Sequence, residues 1–448
     1  MTYLSADETI FALATPPGRG GVGMVRLSGA VAAWVLTEVT AAPLPPPRRA
    51  SVRSVRDPAT GEVLDHGLVL WFPAPASFTG EDVAELHMHG GRAVIGAMLA
   101  VLARLPGVRP AKPGEFSRRA FLNGKMDLTV AEGLADLVAA ETAAQRRQAL
   151  QQMDGALARL YEEWRERLVR LLAHWEAVID FPEDDLPSNV ITTVHKEIID
   201  LAGTLRTHLD DGKRGEQIRD GIHVVLIGPP NAGKSSLLNR LARRDAAIVA
   251  PTAGTTRDVI EVPLDLGGYP VLLADTAGVR TETEAVEAEG VRRALARAAT
   301  ADLKLVVLDG GTWPALDAQT VALIDENAVI VLNKSDLLAT DLTPEILGRT
   351  VVPVSALTGA GLPVLEDRLQ HEVERRWTTG AAPVVTRLRH RLAVQGCLEA
   401  LERAQTAPLP ELAAEDLRLA ARALGEITGR IAVDDVLDVV FRDFCIGK

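Results

Sequence analysis

Cysteine is nearly absent: Cys397 and Cys445 are the only two in 448 residues. So small a thiol content leaves no disulfide framework and fits a reducing compartment. Long apolar runs are missing as well. The longest, Ala93–Ala103, covers 11 residues between Arg92 and Arg104, about half of what a bilayer crossing requires. Met1–Ala14 has neither the basic start nor the long apolar core of a secretory signal. These absences predict a soluble, cytoplasmic protein with no membrane partner. Nor is positive charge in surplus. With 48 Lys and Arg against 60 Asp and Glu the net charge is −12. That balance argues against a surface dominated by nucleic-acid binding and leaves room for a local basic patch. Apolar residues, at 47%, are ample for buried cores. The length predicts two to four domains, at about 100–200 residues each.

What is present is most informative at Ile222–Ser236, IHVVLIGPPNAGKSS. An apolar strand runs into Gly228–Ser235 and then into a helix, a full match to G-x-x-x-x-G-K-S/T in its required context. Backbone N–H groups of such a loop, here from Asn231, Ala232, Gly233, Lys234, Ser235 and Ser236, cradle phosphate oxygens at a helix N-terminus. Lys234 reaches the β/γ-phosphates, where it serves catalysis, and the Ser235 hydroxyl holds Mg²⁺. Partner motifs follow in order. Asp275-Thr276-Ala277-Gly278 ends a strand. Its carboxylate takes a Mg²⁺-bound water, and its glycine lets the backbone approach the γ-phosphate. In Asn333-Lys334-Ser335-Asp336, the Asp336 carboxylate accepts both N–H groups on the guanine edge, which adenine lacks, while Asn333 supports base and loop. Ser355-Ala356-Leu357 offers a backbone N–H to the guanine carbonyl. Together these predict GTP over ATP. In Ala250–Asp258, Thr256 is the natural second hydroxyl on Mg²⁺, although the Thr255-Thr256 pair lets either serve.

The residue after Gly278 is Val279, where many GTPases place a water-orienting glutamine. Valine cannot hydrogen-bond, so another group must position water and a cation must neutralise charge. The Asn231 carbonyl oxygen suits a monovalent ion, with backbone carbonyls of residues 250–258 completing its shell. Glu287 is a candidate for orienting water; a solvated helix glutamate is the competing reading.

Taken in order, residues 1–118 mix short strands with Gly and Pro turns. Strands are expected at Thr9–Ala14, Gly21–Leu27, Gly67–Phe72 and Val83–His89, and a helix at Ala93–Leu105. His87 and His89 share a strand face, as a metal pair or as two hydrogen-bonded histidines. Glu85 with Arg26 and Lys125 suggests a small-molecule pocket, weakly on spacing alone. One amphipathic stripe from Leu150 to Val178 predicts a single long helix, stopping near Phe181-Pro182. Val190–Leu209 reads as a further helix and 211–215 as a linker. Residues 216–378 alternate strands with helices, which predicts a mostly parallel sheet covered on both faces. Helical patterns return over 379–448. The α/β unit therefore reads as inserted into one helical domain, whose first part is 119–215.

Along essentially its whole length the chain resembles the MnmE (TrmE) family of bacterial tRNA-modification GTPases. The resemblance is carried by TPPGRGGVGMVRLSG (15–29), SFTGEDVAELHMHGG (77–91), PGEFSRRAFLNGKMDL (113–128), IDFPEDD (179–185), the nucleotide motifs above, LGEITG (424–429) and FCIGK (444–448). It implies an N-terminal α+β folate-binding and dimerisation domain, a helical domain, and an inserted Ras-like P-loop G domain. It implies a homodimer and a 5-formyl- or methylene-tetrahydrofolate donor held by Arg26, Glu85, Lys125 and Lys448. It also implies K⁺-stimulated GTP hydrolysis, with K⁺ ligands at Asn231, Ala250, Thr252 and Thr255. Glu287 falls at the family's catalytic glutamate, and Cys445 at a position implicated in modification chemistry. With the FAD-dependent partner MnmG, in a heterotetramer, such proteins add an aminomethyl or carboxymethylaminomethyl group at C5 of the tRNA wobble uridine. The alternative is a GTPase switch in RNA or ribosome assembly without modification chemistry. Pro229 departs from the basic residue common after the first P-loop glycine. The acidic balance leaves the tRNA surface unassigned; Thr386–Arg391 is one small basic run.

Overall fold

The computed structural model describes residues 8–180, 190–243, 261–275, 299–338, 345–378 and 383–430, with Leu437, Val440, Phe441, Phe444 and Gly447. Two units emerge. One comprises Met1–Ala135, Met153–Leu168 and Ala421–Lys448; the other comprises Asp136–Gln152 and Val169–Ala420.

The first unit is built on a six-stranded sheet. Its strands are β1 (Thr9–Leu13), β2 (Gly20–Ser28), β3 (Ser51–Arg56), β4 (Val63–Phe72), β5 (Val83–Gly90) and β6 (Val108–Pro110), in spatial order β3-β4-β5-β2-β1-β6. All neighbours are antiparallel except β1 and β6. Helices α1 (Ala32–Thr40) and α2 (Arg92–Leu102) bring Leu36, Val39, Met98 and Leu102 onto Val25, Leu27, Val69 and Leu86. Each such fully buried aliphatic side chain contributes about 1.5–3 kcal/mol. Beyond them lie α3 (Glu115–Leu122) and α4 (Leu128–Ala139), where Leu128 packs with Leu437, Phe441 and Phe444 from the end of the chain.

The strands and helix expected in 1–118 all form, with shifted ends. The single helix expected over 150–178 does not. It divides into α5 (Ala143–Met153) and α6 (Ala156–Asp180), because Gly155 takes a left-handed φ of +75° that a helix cannot include.

The second unit holds a seven-stranded sheet. Strands β7 (Ile222–Ile227), β8 (Glu261–Leu266), β9 (Tyr269–Asp275), β10 (Leu303–Asp309), β11 (Ala328–Asn333), β12 (Glu345–Ile346) and β13 (Arg349–Pro353) take the order β12-β13-β11-β10-β7-β9-β8. The inner pairs are parallel, and only the edge strands β8 and β12 run antiparallel. Alternate residues feed opposite cores: Val224, Leu226, Leu305 and Val307 join one, while Val225, Ile227, Val306 and Leu308 join the other. Both faces are thus covered, as an inner parallel sheet requires.

Helices of this unit are α7 (Val190–Asp220), α8 (Lys234–Ala242), α9 (Ala318–Val321), α10 (Leu362–Trp377), α11 (Leu388–Thr406) and α12 (Pro410–Thr428), whose last turns belong to the first unit. The linker expected at 211–215 instead lies within α7. Its glycines serve contact: a Cβ at Gly215 would lie 2.1 Å from the Val385 carbonyl oxygen. Arg206 meets Glu402, and Glu216 meets Arg391 at 3.2 Å. Helices before and after the sheet therefore pack together, which is what an inserted α/β domain demands. Among the described residues no helix is long and apolar enough to cross a membrane.

His208, on α7, is 8% exposed. Burial pushes its pKa from 6.5 down to about 4; Asp211 opposes the shift and His390 adds to it. The neutral imidazole is thus required in the fold, while the unfolded chain takes a proton near pH 6.5. Stability is full above that pH and falls as pH drops toward 4, by about 3 kcal/mol. Urea midpoints measured between pH 7.5 and 4.5 should decline accordingly, and His208→Gln should flatten the decline.

Candidate nucleotide site and the N-terminal arginine–glutamate pair

The P-loop sits at the C-terminal end of β7, where the sheet order reverses between β7 and β10; ligands of open α/β sheets bind at such a point. Gly233 begins α8 with φ +89°, and a Cβ there would lie 2.3 Å from Asn333 Nδ2. Only glycine fits. Lys234 is 7% exposed, and its Nζ donates to the Gly228 and Pro229 carbonyls, each at 2.9 Å. Burial lowers its pKa, and Asp275 partly offsets this. The Ser235 hydroxyl donates to Asp275 Oδ2. Two hard oxygen donors therefore converge beside the P-loop, the set that Mg²⁺ takes. Asn231 adopts φ +62°; Ser236 is exposed and Ala232 buried.

Asn333 is buried and ties the loops together. Its Nδ2 donates to the Ala232 carbonyl at 2.8 Å, and its Oδ1 accepts from the Ala356 N–H at 3.0 Å. Asp336 Oδ1 accepts from the Ser355 hydroxyl at 2.5 Å. Leu357 stands 77% exposed beside them. Lys334 Nζ pairs with Asp309 Oδ2 at 2.6 Å. Burial works to raise Asp309, but Lys334 and the Gly311 N–H outweigh it and hold the carboxyl below its usual range.

Two contributors escaped the sequence reading. Asp309, at the end of β10, anchors Lys334. Arg240, on α8, donates from Nε to the Ala356 carbonyl at 3.0 Å and from Nη2 to the Leu357 carbonyl at 2.7 Å. No local motif marks either, since each acts across the fold. Thr255, Thr256, Ala250, Thr252, Thr276, Ala277, Gly278 and Glu287 lie outside the described residues.

In the first unit, strand register sets Arg26 opposite Glu85. Arg26 Nε donates to Glu85 Oε1 at 3.0 Å, and its guanidinium carbon lies 5.5 and 5.9 Å from the ring centres of Phe78 and Phe116. His87 Nε2 pairs with Glu85 Oε2 at 3.1 Å, and His89 Nδ1 with Asp65 Oδ1 at 2.8 Å. Each histidine meets a carboxylate, and among the described residues no His/Cys/Asp/Glu cluster suits a metal. The exposed Lys125 lays its stem on Gly80, two residues from Phe78: a Cβ at Gly80 would sit 3.2 Å from Lys125 Cε. Gly447 abuts the end of β1, where a Cβ would lie 2.6 Å from the Leu13 carbonyl oxygen. Cys445 and Lys448 lie outside the described residues.

A P-loop at a parallel-sheet switch point, joined by a buried asparagine to an aspartate-bearing base loop, defines a P-loop GTPase. Comparisons with known proteins take this further. A family model described as "GTP-binding protein TrmE N-terminus" matches residues 9–125, and one described as "MnmE helical domain" matches 128–445. The tRNA modification GTPase MnmE of Paramagnetospirillum magneticum is 58% identical over 442 residues, 99% of this chain and 100% of that protein. That of Rhodospirillum rubrum is 58% identical over 453 residues, 98% and 99% of the two chains. A mitochondrial 5-taurinomethyluridine tRNA synthase subunit of Danio rerio is 48% identical over 472 residues, 99% and 93%. The chain belongs to the MnmE family of tRNA modification GTPases, and it is a GTP hydrolase.

Proposed function

We propose that this GTPase, as a cytoplasmic homodimer working with an FAD-dependent partner, installs an aminomethyl-type group at C5 of the tRNA wobble uridine. The carbon comes from a tetrahydrofolate derivative. The observation that carries the donor reading is the Arg26–Glu85 pair, half-sheltered beside Phe78 and Phe116. A pterin has flat faces for such rings and an N–H edge for a carboxylate. Lys125, anchored at Gly80, supplies positive charge for the glutamate tail. Gly447 lies beside Leu13, which pairs with Val25, next to Arg26, and Lys448 is assigned to the same donor. Cys445 belongs to the same terminal stretch and is assigned to the modification step.

In the G domain, Ser235 and Thr256 hold Mg²⁺, which neutralises phosphate charge. Asn231 and the carbonyls of Ala250, Thr252 and Thr255 hold K⁺. Backbone groups of residues 231–236, Thr276, Ala277 and Gly278 surround the phosphates; Asn333, Lys334, Asp336 and Ser355–Leu357 surround guanine. Residues 1–118 form the donor-binding domain, 119–215 with 379–448 the helical domain, and 216–378 the G domain.

Nucleosides of tRNA from a strain lacking the gene should lose the modified wobble uridine. Normal nucleosides there would favour the assembly-switch alternative. For the donor site, Arg26→Ala leaves Glu85, among the described residues, with His87. Calorimetry should then show 5-formyl-tetrahydrofolate binding weakened roughly 10–100-fold, the loss of one charged hydrogen bond worth about 1.5–3 kcal/mol. GTP affinity should not change.

A further inference from the structure

The nucleotide motifs occupy one end of the G-domain sheet. At the other end, beside the first residues of β11 (Ala328–Asn333) and β13 (Arg349–Pro353), a cleft of ≈ 390 Å³ opens against α10 (Leu362–Trp377). Arg349, Arg368 and Arg375 line it. At its base lies Glu372, 7% exposed. Oε1 takes Arg368 Nη2 at 2.9 Å, and Oε2 takes Arg375 Nη2 at 2.8 Å and Arg376 Nη2 at 3.3 Å. Burial works to raise the Glu372 pKa, but Arg375, Arg368 and Arg376 hold it below its usual range, so it is ionised.

Arg349 stands outside this cluster and donates from Nη1 to the Ala328 carbonyl at 3.0 Å. Of the neighbouring carboxylates, Asp325 is engaged by Lys304 at 2.6 Å, and Glu326 lines the cleft. Three guanidiniums thus share one buried carboxylate, with Arg349 a fourth beside them, and each fork carries several N–H donors. The Arg368 and Arg375 side chains are 50% and 58% exposed, so their remaining donors reach solvent.

Guanidinium forks match phosphate oxygens in pairs. Arg368 and Arg375 are seven residues apart on one helix, about 10 Å along its axis, which suits separate phosphates rather than one. In a chain of net charge −12, the overall field repels RNA. Contact with RNA must be concentrated at such local patches. We propose that this cleft seats backbone phosphates of tRNA, with Arg349, Arg368 and Arg375 as the contacting groups. The assignment rests on the tRNA reading above and adds where the strand is held.

The test is tRNA binding by the full-length protein across salt concentration, wild type against R349Q/R368Q/R375Q. Three lost phosphate contacts should lower the slope of log K against log salt by about 2–3. Affinity should then fall roughly 100-fold at about 0.1 M salt, with the curves converging near 1 M. The matched control R206Q/R403Q/R418Q removes the same charge from exposed ion pairs elsewhere and should bind as wild type. GTP binding reports folding of each variant. If the triple variant loses it, R349Q alone, which leaves Glu372 its partners, should weaken tRNA about 5–8-fold at 0.1 M salt.

Unchanged affinity and slope, or an equal loss in the control, overturns the assignment while the tRNA reading stands. Loss of inorganic pyrophosphate binding with tRNA binding intact overturns it in favour of a small-anion site. Wild-type protein that binds no tRNA at any salt overturns the tRNA reading and this assignment together.

Discussion

Asp336→Asn is expected to weaken GTP binding by about two to three orders of magnitude and to raise affinity for xanthosine triphosphate. In the proposed site the carboxylate accepts two N–H groups of guanine, and a hydrogen bond to a charged group contributes about 1.5–3 kcal/mol. An asparagine turns one acceptor into a donor. It then faces a guanine N–H with its own N–H but matches the carbonyl that xanthine carries instead. The surroundings favour a clean exchange. Asp336 lies in the short turn Ser335–Leu337 and takes the Ser355 hydroxyl on Oδ1, and an asparagine oxygen can accept the same bond. Titration of the variant with both nucleotides decides the matter. Undiminished GTP affinity would remove guanine from Asp336.

Glu287→Ala is expected to keep GTP affinity and lose turnover by about 10²–10⁴, the usual range for a positioned acid or base. Val279 leaves the attacking water without the usual glutamine. Hydrolysis then needs both a water-positioning group and extra positive charge, assigned to Glu287 and to K⁺. K⁺ should accelerate turnover of the parent protein while Na⁺ does not, because a cage of carbonyl oxygens suits the larger ion. In the variant, K⁺ should no longer rescue the rate. Single-turnover measurements in each salt separate the two roles. A variant of normal rate returns Glu287 to the class of solvated helix residues, and equal rates in both salts remove the cation.

Recognition of the G domain was possible from sequence because its chemistry is written in contiguous loops. Gly228–Ser235, Asn333–Asp336 and Ser355–Leu357 each follow an apolar run that can only be a buried strand. Other elements carried no such signal. β3 (Ser51–Arg56) is an edge strand with no clean apolar alternation. β6 (Val108–Pro110) exists only by pairing with β1. Helix α1 (Ala32–Thr40) begins at Val31 without a side-chain cap. The glycines at 212 and 215 read as a flexible linker because packing against Val385 is invisible along the chain.

By itself, then, the sequence determined the nucleotide class, the alternation of strand and helix, and the presence of a domain set within helices. Each of these follows from local residue type and spacing, which survive any arrangement of neighbours. Tertiary structure alone decided that Arg26 faces Glu85, that Asn333 fastens the P-loop to the base loop, and that Arg240 holds the carbonyls of 356 and 357. Strand register and helix packing set those meetings. A pairing shifted by one residue would send each side chain to the opposite face.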